Sequence, residues 1–204
     1  NRTNITVSEM SGRASLLNKA AELGVKLDRE SPTTKQILQR IKDQESEGYE
    51  FEGADASLEL LMRKAQNLYR TFFTMKKFHV YVANGGANPD EAISEATIKL
   101  QLPDGSEQHT VSEGHGPVDA LNNALRKALE ATYPELNDVH LKDYKVRILD
   151  AQSATRAKTR VLIESSDADT TWNTVGVSEN IISASYEALI DSIEYKLLRT
   201  RGHE

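Results

Sequence analysis

The chain has 204 residues, with 25 Lys and Arg against 31 Asp and Glu, a formal charge of −6 and no cysteine. That length buries a real core in one or two domains, while the acidic balance excludes a sequence-independent grip on nucleic acid, which needs clustered cations. Zero Cys excludes disulfides, thiolate nucleophiles and Cys-type zinc sites and fits a reducing cytoplasm, and no apolar run approaches the ~20 residues of a membrane helix.

The first stretch, about 1–75, reads as three short helices. Ser11 is placed to cap the first, with Leu16, Leu17, Ala20 and Ala21 apolar and Gly24 as its stop. Ser31-Pro32 opens the second, because Pro is tolerated at the first helical position; Ile37, Leu38 and Ile41 follow, and Gly48 ends it. Asp55 or Ser57 starts the third, through Leu58, Leu61, Met62, Ala65 and Leu68. These helices hold little apolar material of their own, so they read as a connector that packs on something else.

After about residue 76 the period switches. Phe78, Val80 and Val82 alternate with His79 and Tyr81, and Ile98, Leu100 and Leu102 alternate with Lys99 and Gln101, the pattern of half-buried strands. Pro103-Asp104-Gly105 is a turn, and a third strand runs from about Gln108 to Ser112. Gly114-His115-Gly116-Pro117 breaks it and starts a helix carrying Val118, Leu121, Leu125, Ala128 and Leu129 on one face. The order then recurs. Tyr144, Val146 and Ile148 alternate, a second strand covers about Lys158 to Glu164, Ser165-Ser166-Asp167 turns, and Thr171 to Val175 makes a third strand. Gly176 breaks it and a helix begins near Ser178, striped by Ile182, Tyr186, Leu189, Ile193 and Leu197. Gly114 and Gly176 stand 62 residues apart and Phe78 and Tyr144 stand 66 apart, so the first copy carries a longer loop, at Gly85-Gly86 and Asn88-Pro89-Asp90. The predicted fold is α+β: a helical linker followed by two β-β-β-α repeats, about 76–135 and 140–200, forming two sheets with helices packed on one face.

Each repeat delivers a helix N-terminus from a glycine-containing turn. Such an end offers free N–H groups and a positive dipole, which suits a carboxylate, and glycine admits close approach of a ligand. Two such ends bracket a small zwitterion in one reading, with Asp119 or Glu179 facing its ammonium. In the other, the glycines are only tight turns, and Ser178 and Asp119 are caps or first-turn charges. No catalytic or metal set converges: His79, His109, His115, His140 and His203 include no helical i, i+4 pair, and no GxSxG, phosphate-binding or dinucleotide fingerprint is present. Trp172 reads as core or interface.

The segments SEMSGRASLLNKAAELG, EGYEFEGADASLELL, SEGHGPVDALNNALRKAL, DYKVRILD and TVGVSENIISASYEALIDSIEYKLLR, in that order, resemble the C-terminal part of the isopropylmalate/homocitrate synthase family over essentially all 204 residues. GHGPVDA and TVGVSENII are typical of that family's allosteric domain, and YEFEGADAS resembles its citramalate branch. The resemblance implies an N-terminal TIM barrel, absent from this chain, that binds a divalent metal and condenses acetyl-CoA with a 2-oxo acid, pyruvate in the citramalate branch. Asn1 in place of a starting Met fits a cut at the end of that barrel. The resemblance further implies a cytoplasmic homodimer, inactive as this piece alone, with no cofactor of its own. Its end-product effector is isoleucine, or leucine in the isopropylmalate branch. Motif by motif, it assigns Gly114, Gly116, Pro117, Asp119 and Ala120 to the first helix start, with Leu121 and Ala124 lining an apolar pocket. Val175, Gly176, Ser178, Glu179 and Asn180 form the second. Met10 stands where several relatives have a His that reaches the partner's active site, which leaves Arg13 as the nearby polar candidate. A purely structural dimerisation module remains the competing reading.

Overall fold

The computed structural model describes residues 12–84, 92–149 and 157–202. The expected cap Ser11, Met10, the side chain of Arg13, the loop at Gly85-Gly86 and Asn88-Pro89-Asp90, and His203 lie outside the described residues. Three helices come first: α1 (Arg13–Glu22), α2 (Pro32–Glu47) and α3 (Asp55–Ala65). Local chemistry sets their ends. Ser31 Oγ accepts from the Thr33 N–H at 3.1 Å with Pro32 in the first turn, and Gly48 closes α2 in the left-handed region, at φ 110°. Asp55 sits in the first turn of α3 and Arg63 and Lys64 in its last, each sign matching the dipole end it occupies.

Two antiparallel sheets follow. The first has β1 (Thr74–Asn84), β2 (Ala92–Gln101) and β3 (Glu107–Gly114) in sequence order; the second has β4 (His140–Ile148), β5 (Thr159–Ser166) and β6 (Thr171–Ser178). Helix α4 (Pro117–Leu129) follows the first sheet, and α5 (Ile181–Arg201) follows the second. The Pro103–Gly105 turn forms as expected: Gly105 adopts φ 87°, and Asp104 Oδ1 accepts from the Ser106 N–H at 2.9 Å. The second turn falls slightly later than its sequence position implied. Ser165 and Ser166 remain paired in β5, and Asp167 Oδ1 organises the bend by accepting from the N–H groups of Asp169 and Thr170.

The duplication is real in three dimensions, but its register differs from the glycine spacing. In the first sheet Phe78, Ile98 and Thr110 form one cross-strand row; in the second, Tyr144, Ile163 and Thr174 do. The same hydrogen bond marks both rows, since Thr110 Oγ1 donates to the Ala124 carbonyl at 2.9 Å and Thr174 Oγ1 to the Ala188 carbonyl at 2.7 Å. Counting from those rows, Gly114 corresponds to Ser178, and Gly176 corresponds to Ser112. Gly116 and Asn180, the residues preceding the two helices, correspond to one another. The two conspicuous glycines are therefore not equivalent positions.

The main core lies between the inner sheet faces and the helices. Ala96, Ile98 and Leu100 of β2 meet Ala120, Leu121, Ala124, Leu125, Ala128 and Leu129 of α4, all essentially without exposure. Val161 and Ile163 meet Ala184, Ala188, Leu189 and Ile193 of α5 in the same way. Phe78 of the first sheet stacks on Tyr186 of α5, with ring centroids 4.7 Å apart, so the repeats share one core. Trp172 belongs to it, donating from Nε1 to Ser192 Oγ at 3.0 Å.

The N-terminal helices build a second cluster. Leu16, Ala20, Ile37, Ile41, Phe51, Leu58 and Met62 pack together and close over Val175 and Leu162, on the face of the second sheet opposite α5. The second sheet is thus covered on both faces. Among the described residues the outer face of the first sheet is not: Tyr81, Ile93 and Val111 are exposed on it.

Candidate functional site

The two helix starts differ chemically. At α5, Asn180 acts as the cap, its Oδ1 accepting from the N–H groups of Ile182 at 2.8 Å and Ser183 at 3.3 Å. Ser178 Oγ accepts from the Asn180 N–H at 3.1 Å, so the turn satisfies its own donors. At α4 the corresponding cap position is Gly116, which has no side chain to accept, and Pro117 takes the first helical position. The N–H groups of that first turn have no side-chain cap. Asp119 folds back instead, Oδ2 accepting from the His115 N–H at 2.9 Å, and its carboxylate stays at the surface.

The glycines serve packing. A Cβ on Gly114 would stand 2.3 Å from the Ala120 nitrogen, and one on Gly176 would stand 2.1 Å from the Ala184 carbonyl oxygen. The close approach that glycine permits is therefore taken up by the protein's own helices. Gly116 has open space around it. Ala120, Leu121 and Ala124 are fully buried against β2, and Val175 is buried against the N-terminal helices; none of these four shows surface to solvent in the single chain. Glu179 and Asn180 are exposed, and Ser178 is half-buried. At the same end of each sheet the first strand presents an exposed aliphatic side chain on the inner face: Val82, 51% exposed, in the row of Gly114, and Ile148, 61% exposed, in the row of Ser178.

A second constellation lies where α3 meets α5. Glu187, Asp191 and Glu194 occupy one stripe of α5, and each takes a partner from the N-terminal segment. Tyr49 Oη donates to Glu187 Oε2 at 2.6 Å, Ser57 Oγ to Asp191 Oδ2 at 2.6 Å, and Lys64 Nζ to Glu194 Oε2 at 2.5 Å. The edge strand β6 joins the same network: Val175 N–H donates to Ser57 Oγ and Val177 N–H to Glu187 Oε2, both at 3.1 Å. Arg160 of β5 adds an ion pair with Glu50 and a bond to the Gly48 carbonyl at 2.7 Å. Burial pushes the Asp191 carboxyl up to about 7, with Glu194 and Glu187 adding to the rise against the Ser57 hydrogen bond and Lys64. Sequence reading passed over these residues. The i, i+4, i+7 spacing of three carboxylates on one helix was the available signal. Among the described residues no cluster of three His, Asp or Glu side chains could hold a metal, and no helix is long and apolar enough to cross a membrane.

The chain thus holds a doubled β-β-β-α unit whose helices pack on the inner sheet faces. The model of the LeuA allosteric (dimerisation) domain matches residues 52–197, and the chain belongs to that family. It is 51% identical over its whole length to the (R)-citramalate synthase of Geobacter sulfurreducens and 48% identical over 98% of its length to that of Aquifex aeolicus. It is also 31% identical over 96% of its length to the 2-isopropylmalate synthase of Aquifex aeolicus. The chain spans only 38%, 37% and 34% of those three relatives.

Proposed function

We propose that this chain is the regulatory and dimerisation part of a cytoplasmic citramalate synthase. A catalytic TIM barrel elsewhere in the protein, with its own divalent metal, would condense acetyl-CoA with pyruvate for isoleucine synthesis. Residues 1–75 link that barrel to the regulatory domain, and two chains pair through the sheets and helices of 76–204. The identities to (R)-citramalate synthases, well above the identity to the 2-isopropylmalate synthase, favour isoleucine over leucine as the feedback effector.

The observation that carries the effector reading is the repeated pairing of a helix start with an exposed aliphatic side chain. Val82 lies at the α4 end and Ile148 at the α5 end, beside strands whose glycine and serine leave room. The uncapped first turn of α4 supplies N–H donors for a carboxylate, Asp119 and Glu179 are the nearby acceptors for an ammonium, and the aliphatic ledges receive a branched side chain. Inhibition follows if the effector binds two arrangements of the dimer unequally. The test is titration calorimetry with isoleucine, leucine and valine alongside melting curves. Isoleucine is expected to bind tightest and raise the melting temperature; a dimer indifferent to all three would leave a purely structural module.

A further inference from the structure

The outer face of the first sheet has no role in the reading above. Its counterpart on the second sheet is covered by the chain itself, where Leu162 and Val175 lie under the N-terminal helices. By the register of the threonine rows, those two residues correspond to Thr97 and Val111, which stand on the open face. Strand pairing fixes what surrounds them. Three rows cross the face, each with one residue from β1, β2 and β3 in turn. The first holds Lys77, Lys99 and His109, the second His79, Thr97 and Val111, and the third Tyr81, Glu95 and Glu113. Ala83 and Ile93 follow in a fourth. Cations therefore gather at one end of the face and carboxylates at the other. Lys99 Nζ holds Glu107 Oε2 at 2.7 Å in a solvent-accessible pair, while Glu95 and Glu113 form no ion pair among the described residues. Tyr81 is 67% exposed and Val111 43% exposed.

We propose that this face pairs with the same face of a second copy of the chain, the two sheets stacked about a two-fold axis that crosses the strands at the central row. Such an axis reverses the strand direction and sets each strand opposite its own copy. Lys99 of one chain then faces Glu95 of the other, His109 faces Glu113, and Lys77 faces the ring of Tyr81, each twice by symmetry. Val111 meets Val111 and Thr97 meets Thr97 on the axis. The charges select this axis over the other one available to stacked sheets. An axis along the strands would oppose Lys99 to Lys99 and Glu95 to Glu95, which like-charge repulsion disfavours. Lys99 and Glu95 lie on the middle strand about 7 Å from the axis, where the turn of roughly 30° between stacked sheets displaces them least.

The size of the face sets the strength of the contact. Three strands about 4.8 Å apart and four rows about 7 Å apart cover roughly 400 Å² a side, or about 800 Å² in all. Stable pairs bury about 1,200 Å² or more, so this contact is weak and reversible, with half-association on the order of 0.1 mM. Its charges are exposed, so salt screens them. The face looks away from α4 and α5 and their helix starts, so the contact stands independently of the effector reading. Added to the pairing of two chains proposed above, it joins two such pairs into four chains.

The experiment is sedimentation equilibrium on the whole chain from about 10 μM to about 1 mM, either side of the expected midpoint. The average mass should climb toward twice its dilute value in about 0.05 M salt, and the association constant should fall several-fold in about 0.5 M salt. Glu95→Lys or Lys99→Glu alone opposes like charges across the axis and should weaken association about tenfold. The double variant Glu95→Lys, Lys99→Glu restores opposite charges and should recover most of the loss. So should a mixture of the two single variants, because one then presents two cations and the other two carboxylates; this arm holds if the double variant fails to fold. Val111→Asp, which opposes two carboxylates on the axis, should abolish association, with circular dichroism confirming that each variant is folded. A mass that does not change with concentration overturns the proposal. So does association that ignores the single substitutions, or a folded double variant and a mixture that are both as weak as the single variants. Isoleucine calorimetry on Glu95→Lys should match the parent, so the effector reading and this one fail separately.

Discussion

Gly176→Ala places the added carbon 2.1 Å from the Ala184 carbonyl oxygen and 2.9 Å from Glu187 Cβ, where ordinary contact needs about 3.4 Å or more. The strand cannot yield easily, because Val161 pairs with Gly176 on one side and Val177 N–H is bound to Glu187 on the other. Nor can the helix, because Thr174 holds the Ala188 carbonyl at 2.7 Å and Trp172 holds Ser192 at 3.0 Å. Lifting α5 by the ångström or more required would stretch both bonds. Overpacking of this kind costs about 1–3 kcal/mol, and each neutral hydrogen bond lost adds about 1 kcal/mol. The lower conformational entropy of unfolded Ala relative to Gly returns about 0.4–1 kcal/mol. The net expectation is destabilisation by about 2–4 kcal/mol, a fall in melting temperature of roughly 5–15 °C for a chain of this size. Urea unfolding followed by far-ultraviolet circular dichroism reads it, with Gly116→Ala as the control because open space surrounds that position. A Gly176→Ala protein as stable as the parent would refute the claim that helix contact, rather than ligand access, requires this glycine.

Other substitutions probe the remaining arguments. Asn180→Ala removes the α5 cap and should cost about 1 kcal/mol in the same unfolding assay. Gly116→Asn should add a few tenths of a kcal/mol by capping α4, and should weaken the isoleucine response in calorimetry because its side chain competes for the same N–H groups. Asp191 is held at about 7 in the folded protein, above its ordinary value of 3.8, so the folded state binds its proton more tightly than the unfolded chain does. Its contribution is complete below about pH 4 and disappears as pH rises through about 7, at most on the order of 4 kcal/mol. Asp191→Asn should therefore flatten the stability profile between pH 4 and 7; an unchanged slope of urea midpoints would contradict that rise in the carboxyl's proton affinity. Trp172→Phe strips the donor from Ser192 and leaves a gap beside Tyr195, which should lower stability by about 1–3 kcal/mol.

The fold was legible because its signals are local and periodic. Ser31-Pro32, Gly48, the Pro103–Gly105 turn and the alternating strands each report short-range chemistry and appear where the chain implied them; the exception is β6, which runs through Gly176 to Ser178, because that glycine stays paired with Val161 where a break was expected. The repeat was legible as well, but its register was not, because the glycines attract attention for different reasons in each copy. Gly114 admits the start of α4, while Gly176 admits the second turn of α5. The row marked by Thr110 and Thr174 reveals the true correspondence, and that pairing is written in strand register and helix approach. The seam at Asp191 was hidden for a related reason. Tyr49, Ser57 and Lys64 stand about 130 residues before their partners, and a one-dimensional reading places three helical carboxylates on a solvated face by default.

The two repeats have diverged in what surrounds them, and that asymmetry bears on control. α3 packs on α5 and on β6, whose edge N–H groups are satisfied by Ser57 of α3 and by Glu187, itself held by Tyr49. Among the described residues the first repeat has no such cover on its outer face. A ligand at the α5 start would therefore act about two turns from groups that grip the N-terminal helices. A ligand at the α4 start would act through the shared core, where Phe78 meets Tyr186 and α4 lies along α5. Either route converges on α5, because that helix touches both the second helix-start turn and the seam. Displacement of α5 along its axis would have to move Glu187, Asp191 and Glu194 together, since one helix carries all three and each is bound to a different residue of the N-terminal segment. A packed seam of that kind holds one arrangement or lets go to another rather than deforming smoothly, which is the property an effector needs in order to shift a population between two states.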